Sequence, residues 1–331
     1  MKKYISPLLL LVAAIIWGFA FPAQKMVEEI PPMAVIAIRS AIATVFLFPM
    51  VAVFDRVRHT GRALISKTKF LDFTKTELIG GAAVGSIYGI ASAVQQMGLA
   101  EGTDGGRGAF ISALYVVIVP LIGIFLGRRV RAVVWGGIAL AVLGFYLLCI
   151  KGDFTVTSSD LLVLLCAFIF AGHILTIDYF SPKCDGVRMS LIQFAVSTVL
   201  MSILSLIFEG VTDASVVLSA LLPLLYLGIG SSGVAYTLQI IGQRGTNPAL
   251  ASILLSLESV FGVIGSMLLL GESMMPREYI GCVIVFAAVL LAQMPERSAQ
   301  KAGGTDISHA QMNAQQIENH DAQDGVVIDK K

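Results

Sequence analysis

Residues 85–145 recur without a gap as residues 229–289. Gly89, Ala91, Gln95, Gly98, Ser112, Leu126, Gly127 and Gly137 return as Gly233, Ala235, Gln239, Gly242, Ser256, Leu270, Gly271 and Gly281, each 144 positions later (239 − 95 = 144). Equivalent points of the two copies are five apolar spans apart, an odd number, so the second copy threads a membrane in the opposite direction to the first. Two related bundles of opposite orientation can rock about a site at their seam, and inverted repeats of this kind are a signature of secondary transporters.

Composition agrees with a membrane class: 56% of residues are hydrophobic, 14% are charged and the mean hydropathy is +0.83. Runs long enough to cross about 30 Å of hydrocarbon, roughly 20 residues each, fall at 6–24, 33–54, 77–98, 107–127, 132–150, 160–180, 188–208, 215–241, 248–270 and 276–294. The expected fold is therefore all-α and integral to the membrane, with ten transmembrane helices forming two inverted five-helix repeats, 1–154 and 155–295. Residues 296–331 are polar and lack helical periodicity, which predicts a disordered cytoplasmic tail. Lys2 and Lys3 before an apolar run superficially match a secretory signal. That run is too long and lacks a small-residue cleavage site, so it reads as a retained first helix.

Basic loops are held in the cytoplasm. With both termini inside, 18 of the 23 Lys and Arg residues fall on the cytoplasmic side, which orients the chain as a multi-pass plasma-membrane protein. The basic turn Arg128, Arg129 and Arg131 has its repeat counterpart at 272–275, where no basic residue occurs. Related segments with opposite charge bias are what opposite orientation requires. A net charge of +1 gives no footing for a nucleic-acid partner. Cys149, Cys166, Cys184 and Cys282 show neither pairing nor metal-ligand spacing and read as free thiols. No phosphate-binding loop or paired aspartate motif points to a cofactor.

Polar groups within a span face a cavity or a neighbouring helix. In the eighth span Ser232, Tyr236, Gln239 and Gln243 are four, three and four apart and share a face. The third span repeats that face as Tyr88, Ser92 and Gln95, at the same offset of 144. Hydrogen bonding between packed helices accounts for single serines. Matched Tyr and Gln positions in both repeats are more economically explained by a shared central cavity. Trp17 in the first span, Tyr115 in the fourth and His173 in the sixth complete the candidate substrate-binding set of Trp17, Tyr88, Gln95, Tyr115, His173, Tyr236 and Gln239. Gly81, Gly85 and Gly89 form a small-residue face for close helix approach. Glu258 lies near the middle of the ninth span, where a carboxylate must be paired, hydrated or protonated. It is either the coupling element for a proton or cation, or a structural partner of Arg39.

Trp17–Gly18–Phe19–Ala20–Phe21, Arg39–Ser40, Ser112–Ala113–Leu114–Tyr115 with Val119–Pro120, and Leu257–Glu258 with Leu269–Leu270–Gly271–Glu272 carry a family resemblance. The chain resembles the EamA-type members of the drug/metabolite transporter superfamily over residues 6–294. The resemblance implies a five-plus-five bundle with a central cavity lined by helices one, three, four, six, eight and nine. Helices five and ten would be peripheral and open to homodimer formation. The sequence departs from the family at Gly127–Arg128–Arg129, where Gly-Glu is common, and at Glu258–Ser259, where proline often follows the acid. The first helix has no carboxylate of the kind small multidrug relatives use for coupling.

The function expected is export of a small polar, amino-acid-like solute, embedded in a lipid bilayer and needing no cofactor. Multidrug or amine efflux is the alternative within the class, and a receptor without flux is the alternative outside it. Gly230–Ser231–Ser232–Gly233 fits an intramembrane serine protease pattern. The histidine such chemistry needs in a later span is missing, since His309 and His320 fall in the polar tail.

Overall fold

The computed structural model describes residues 2–61, 73–103, 105–149, 157–271, 275–292 and 294. The expected tail, with His309 and His320, lies outside them. Residues Met1–Ala292 form one compact unit. Ten helical rods cross it: α1 (Lys2–Lys25), α2 (Pro32–Gly61), α3 (Lys75–Ala100), α4 (Gly105–Ala113 and Tyr115–Phe125), α5 (Ala132–Cys149), α6 (Ser158–Phe180), α7 (Gly186–Phe208), α8 (Leu221–Gln243), α9 (Pro248–Leu255 and Glu258–Leu270) and α10 (Pro276–Ala292). Among the described residues there is no strand, and eight of the rods are long and apolar enough to cross a membrane. A separate short helix, Ala214–Ser219, capped by the Asp213 carboxylate, precedes α8 where the sequence alone would start that span.

Hydrogen bonds between rod ends sort them onto two faces. On one face Lys25 at the end of α1 reaches the Leu99 carbonyl at the end of α3, and Glu209 after α7 accepts from Met33 N and Ala34 N at the start of α2. Arg277 at the start of α10 joins the same face through the Leu147 carbonyl of α5. On the other, Glu77 at the start of α3 accepts from Asp185 N before α7, Arg244 after α8 donates to the Pro182 carbonyl after α6, and Arg131 before α5 donates to the Ala292 carbonyl of α10. Arg128 after α4 and Asp178 near the end of α6 pair there at 2.6 Å. Each rod thus begins on the face where its predecessor ended, and α6 runs opposite to α1.

The repeats interlock rather than stand side by side. α1 packs on α8 and α9 of the second half, and α6 packs in mirrored fashion on α3 and α4 of the first. α2 meets α8 as α7 meets α3, while α5 lies against α10. Glycines make the closest crossings possible. A Cβ on Gly81 would stand 2.5 Å from Ile192 Cβ, and one on Gly85 only 2.3 Å from the Gln193 carbonyl oxygen, so the expected small-residue face of α3 is the seat of α7. Gly18 plays that part for α1, where a Cβ would lie 2.3 Å from Phe261 Cβ of α9.

Two rods are interrupted at equivalent points, Leu114 in α4 and Ser256–Leu257 in α9 (114 + 144 = 258, the first residue beyond the second break). No proline or glycine occupies either break. In α9 the Ser252 hydroxyl donates to the Ala249 carbonyl and Ser256 to the Ile253 carbonyl, three residues back. Such back-bonding competes with the helical ladder and bends it. α8 departs differently, winding as a π-helix over Tyr226–Tyr236. That geometry is rare and concentrates at functional sites.

Candidate functional site at the axis between the repeats

Tyr88 and Ser232 occupy equivalent repeat positions, and their hydroxyls meet at 3.3 Å. Groups related by a two-fold operation touch only at its axis, so this contact marks where the pseudo-symmetry axis passes. One step out of register, Tyr115 donates to Glu258 Oε1 at 3.0 Å, joining the broken α4 to the broken α9. A cavity of ≈ 50 Å³ lies between these contacts. Trp17 and Gln24 of α1, Arg39 of α2, Ser92 and Gln95 of α3, Ser112 and Tyr115 of α4, Phe170 and His173 of α6, Ser231, Tyr236 and Gln239 of α8, and Glu258 of α9 line it. Its apolar wall includes Ala20, Phe21, Ile174 and Leu255.

Six of the seven candidate binding residues line this cavity, as does Glu258. The seventh, Tyr88, stands behind the wall, edge-on to Tyr236 with ring centroids 4.7 Å apart. Tyr236 in turn lies 4.5 Å from the Trp17 ring and 5.7 Å from His173, so an aromatic cluster forms one side of the chamber. Trp17 is fixed by its Nε1–H, which donates to the Ser231 carbonyl at 3.0 Å. Gln95 donates to Ser112 at 2.9 Å. Gln243, at the end of the eighth-span stripe, turns away and donates to the Ile174 carbonyl.

Several polar atoms here have no partner among the described residues. Both ring nitrogens of His173, a residue with 0% exposure, are unbonded, as are Gln239 Oε1 and Gln24 Oε1. Unpartnered buried atoms also occur away from the chamber, on Gln96, Gln193 and Gln243 among others, so it is their position on the chamber wall that leaves those of His173, Gln239 and Gln24 open to a bound solute or water.

Arg39 is the lining residue that span-by-span reading least anticipated. It does not pair with Glu258. Its Nε donates to Ser232 Oγ at 2.9 Å and its Nη2 to Ser231 Oγ at 2.7 Å, both presented by the π-helical segment. Ser232 therefore faces a guanidinium and a phenol, neither of which serves as a general base at neutral pH. The charged groups break the pseudo-symmetry: Arg39 comes from the first half alone and Glu258 from the second.

An all-helical membrane bundle of two inverted, interlocked repeats with a polar chamber on their axis defines a class, that of membrane transporters. A family model described as the EamA-like transporter family matches residues 5–150 and again residues 157–294. The chain belongs to the EamA-like transporter family, and is a membrane transporter. An uncharacterized transporter of Archaeoglobus fulgidus is 28% identical over 300 residues, covering 88% of this chain and 87% of its own. One protein of known crystal structure superposes with a TM-score of 0.68 over 87% of this chain and 96% of its own, at 18% identity, a likeness of fold alone.

Proposed function

We propose that the protein is a secondary transporter of small polar, amino-acid-like solutes, working as an exporter in the plasma membrane with both termini in the cytoplasm. The observation that carries this reading is the axial chamber, where Gln95 and Gln239 from equivalent positions meet the aromatic cluster and the unsatisfied His173 and Gln239 atoms. Hydrogen-bonding groups beside aromatic faces suit a small amphipathic solute. At ≈ 50 Å³ the chamber is well below the roughly 150 Å³ that holds benzene in an engineered cavity. Loading therefore needs the halves 1–154 and 155–295 to part on one side, which is alternating access by rocking of the repeats. Glu258 is the coupling element in this scheme, because it sits on the chamber wall where one half meets the other through Tyr115. Clustering of Arg128, Arg131, Arg188 and Arg244 near one set of rod ends supports placing that face in the cytoplasm. Self-association through α5 and α10 fits their position on each other and away from the chamber.

The test compares metabolites inside and outside cells expressing wild type, Gln239→Leu or an empty vector, at equal membrane abundance. A polar solute displaced outward by wild type and not by the variant is expected. No displaced solute with a folded protein, or normal flux through both Gln239→Leu and Gln95→Leu, would refute the reading. Amine efflux is the competing outcome, since Glu258 also lines the chamber.

A further inference from the structure

Arg39 is 4% exposed, lines the axial chamber, and has no carboxylate within ion-pairing distance among the described residues. A guanidinium offers five N–H donors in a planar fork. Two of Arg39's go to the neutral hydroxyls of Ser231 and Ser232, and the other three make no hydrogen bond among the described residues. A cation removed from water is strongly disfavoured unless an anion answers it. Glu258 lines the same chamber, yet its Oε1 accepts from Tyr115 and it forms no ion pair with Arg39. The site is also built to hold the fork still. The π-helical segment Tyr226–Tyr236 delivers two successive serine hydroxyls to the Nε and Nη2 edge. A Cβ on Gly228 would stand 3.2 Å from the Arg39 carbonyl and 2.5 Å from Ile42, so that glycine is what lets α8 close on α2 there.

Resting on the transport reading, we propose that Arg39 is the anion-binding residue of the chamber and that the transported solute carries a carboxylate. The free N–H donors match the bidentate geometry of a carboxylate, which Arg recognises better than a point charge such as Lys does. His173 and Gln239, both buried with unbonded polar atoms on the same chamber, hydrogen-bond the remainder of the solute. A purely cationic solute is disfavoured because it would bring a second positive charge beside an unanswered one.

The experiment uses the two tryptophans. Trp17 lines the chamber and Trp135 lies on α5, outside its lining, so a Trp135→Phe background makes Trp17 fluorescence a local reporter in purified full-length protein. Acetate, glycine, L-leucine and L-phenylalanine are titrated against their primary amides. A saturable response to at least one acid, weaker by about tenfold or more for its amide, is expected. Arg39→Gln should weaken that response by about tenfold or more, as loss of a charge-assisted pair does. Arg39→Lys should recover part of it. Ser231→Ala with Ser232→Ala keeps the charge but frees the fork, and should weaken binding less than Arg39→Gln does. This double variant remains informative if Arg39→Gln fails to fold. The proposal is overturned if no acid alters the signal, if amides act as well as acids, or if the Arg39→Gln protein binds like wild type. Carboxylate binding without flux in cells would instead overturn the transport reading alone. Flux of a neutral solute without carboxylate binding would overturn this inference and leave transport standing.

Discussion

Replacing Gly85 with alanine tests whether the halves are held by direct contact of backbones. The added Cβ would sit 2.3 Å from the Gln193 carbonyl oxygen and 2.9 Å from its Cα, against an ordinary contact limit of 3.4 Å. The overlap is 3.4 − 2.3 = 1.1 Å, and it falls on backbone that has no rotamer to change. α3 and α7 must therefore separate by about that distance, giving up contacts along the whole crossing. Overpacking of this kind costs about 1–3 kcal/mol, and the obstructing atoms put Gly85→Ala near the upper end. The better helix propensity of alanine returns at most about 1 kcal/mol. The internal control is Gly172→Ala in α6, where a Cβ meets nothing within 4 Å and only the propensity gain remains. Because the propensity gain is common to both, the two variants should differ by the overpacking cost alone, about 2–3 kcal/mol, read as melting temperatures in one detergent with Gly85→Ala several degrees below wild type and Gly172→Ala at or above it. A Gly85→Ala protein that melts with or above Gly172→Ala would refute the claim that this crossing is backbone-limited.

Two further outcomes follow from named contacts. Glu209→Ala removes the carboxylate that caps the start of α2 through Met33 N and Ala34 N. It should lower stability by about 0.5–2 kcal/mol, with Glu209→Gln recovering part, and an unchanged melting temperature for the alanine variant would show the cap to be incidental. Glu258→Gln retains an acceptor for the Tyr115 hydroxyl but cannot exchange a proton. Its transport should lose the pH dependence of wild type in proteoliposomes, and wild-type rates at every pH would remove Glu258 from the coupling role.

Much of the architecture was legible because a duplicated segment constrains itself. The offset of 144 gives parity, parity gives opposite orientation, and the paired stripes of Tyr88, Ser92 and Gln95 against Ser232, Tyr236 and Gln239 point to the chamber. What pattern reading misses is departure from regular winding. The breaks at Leu114 and Ser256–Leu257 carry no proline or glycine, and at the second of them serine hydroxyls turn back to the backbone. The π-helical turn holding Ser231 and Ser232 has no sequence mark either, so their approach to Arg39 could not be read from helical spacing. Two buried opposite charges invite a pairing of Arg39 with Glu258, but serines of α8 hold the first and Tyr115 of α4 holds the second. Phe170 lines the chamber without any mark in the sequence, because an apolar ring in an apolar span carries no signal. Gln24 and Ser112 also line the chamber, outside the candidate set drawn from the matched stripes.

The interlocking of the halves has a consequence for biosynthesis. While the first five helices are being inserted, the glycine seat of α3 has no α7 to receive, the start of α2 has no Glu209 to cap it, and the Arg39 guanidinium has no serine hydroxyls to rest on. Each of these is supplied by residues translated later, from the opposite repeat. The nascent first half is left with open grooves, an uncapped helix and a guanidinium without its serine seat, all of which its own duplicate completes, so each copy serves as the assembly template for its twin.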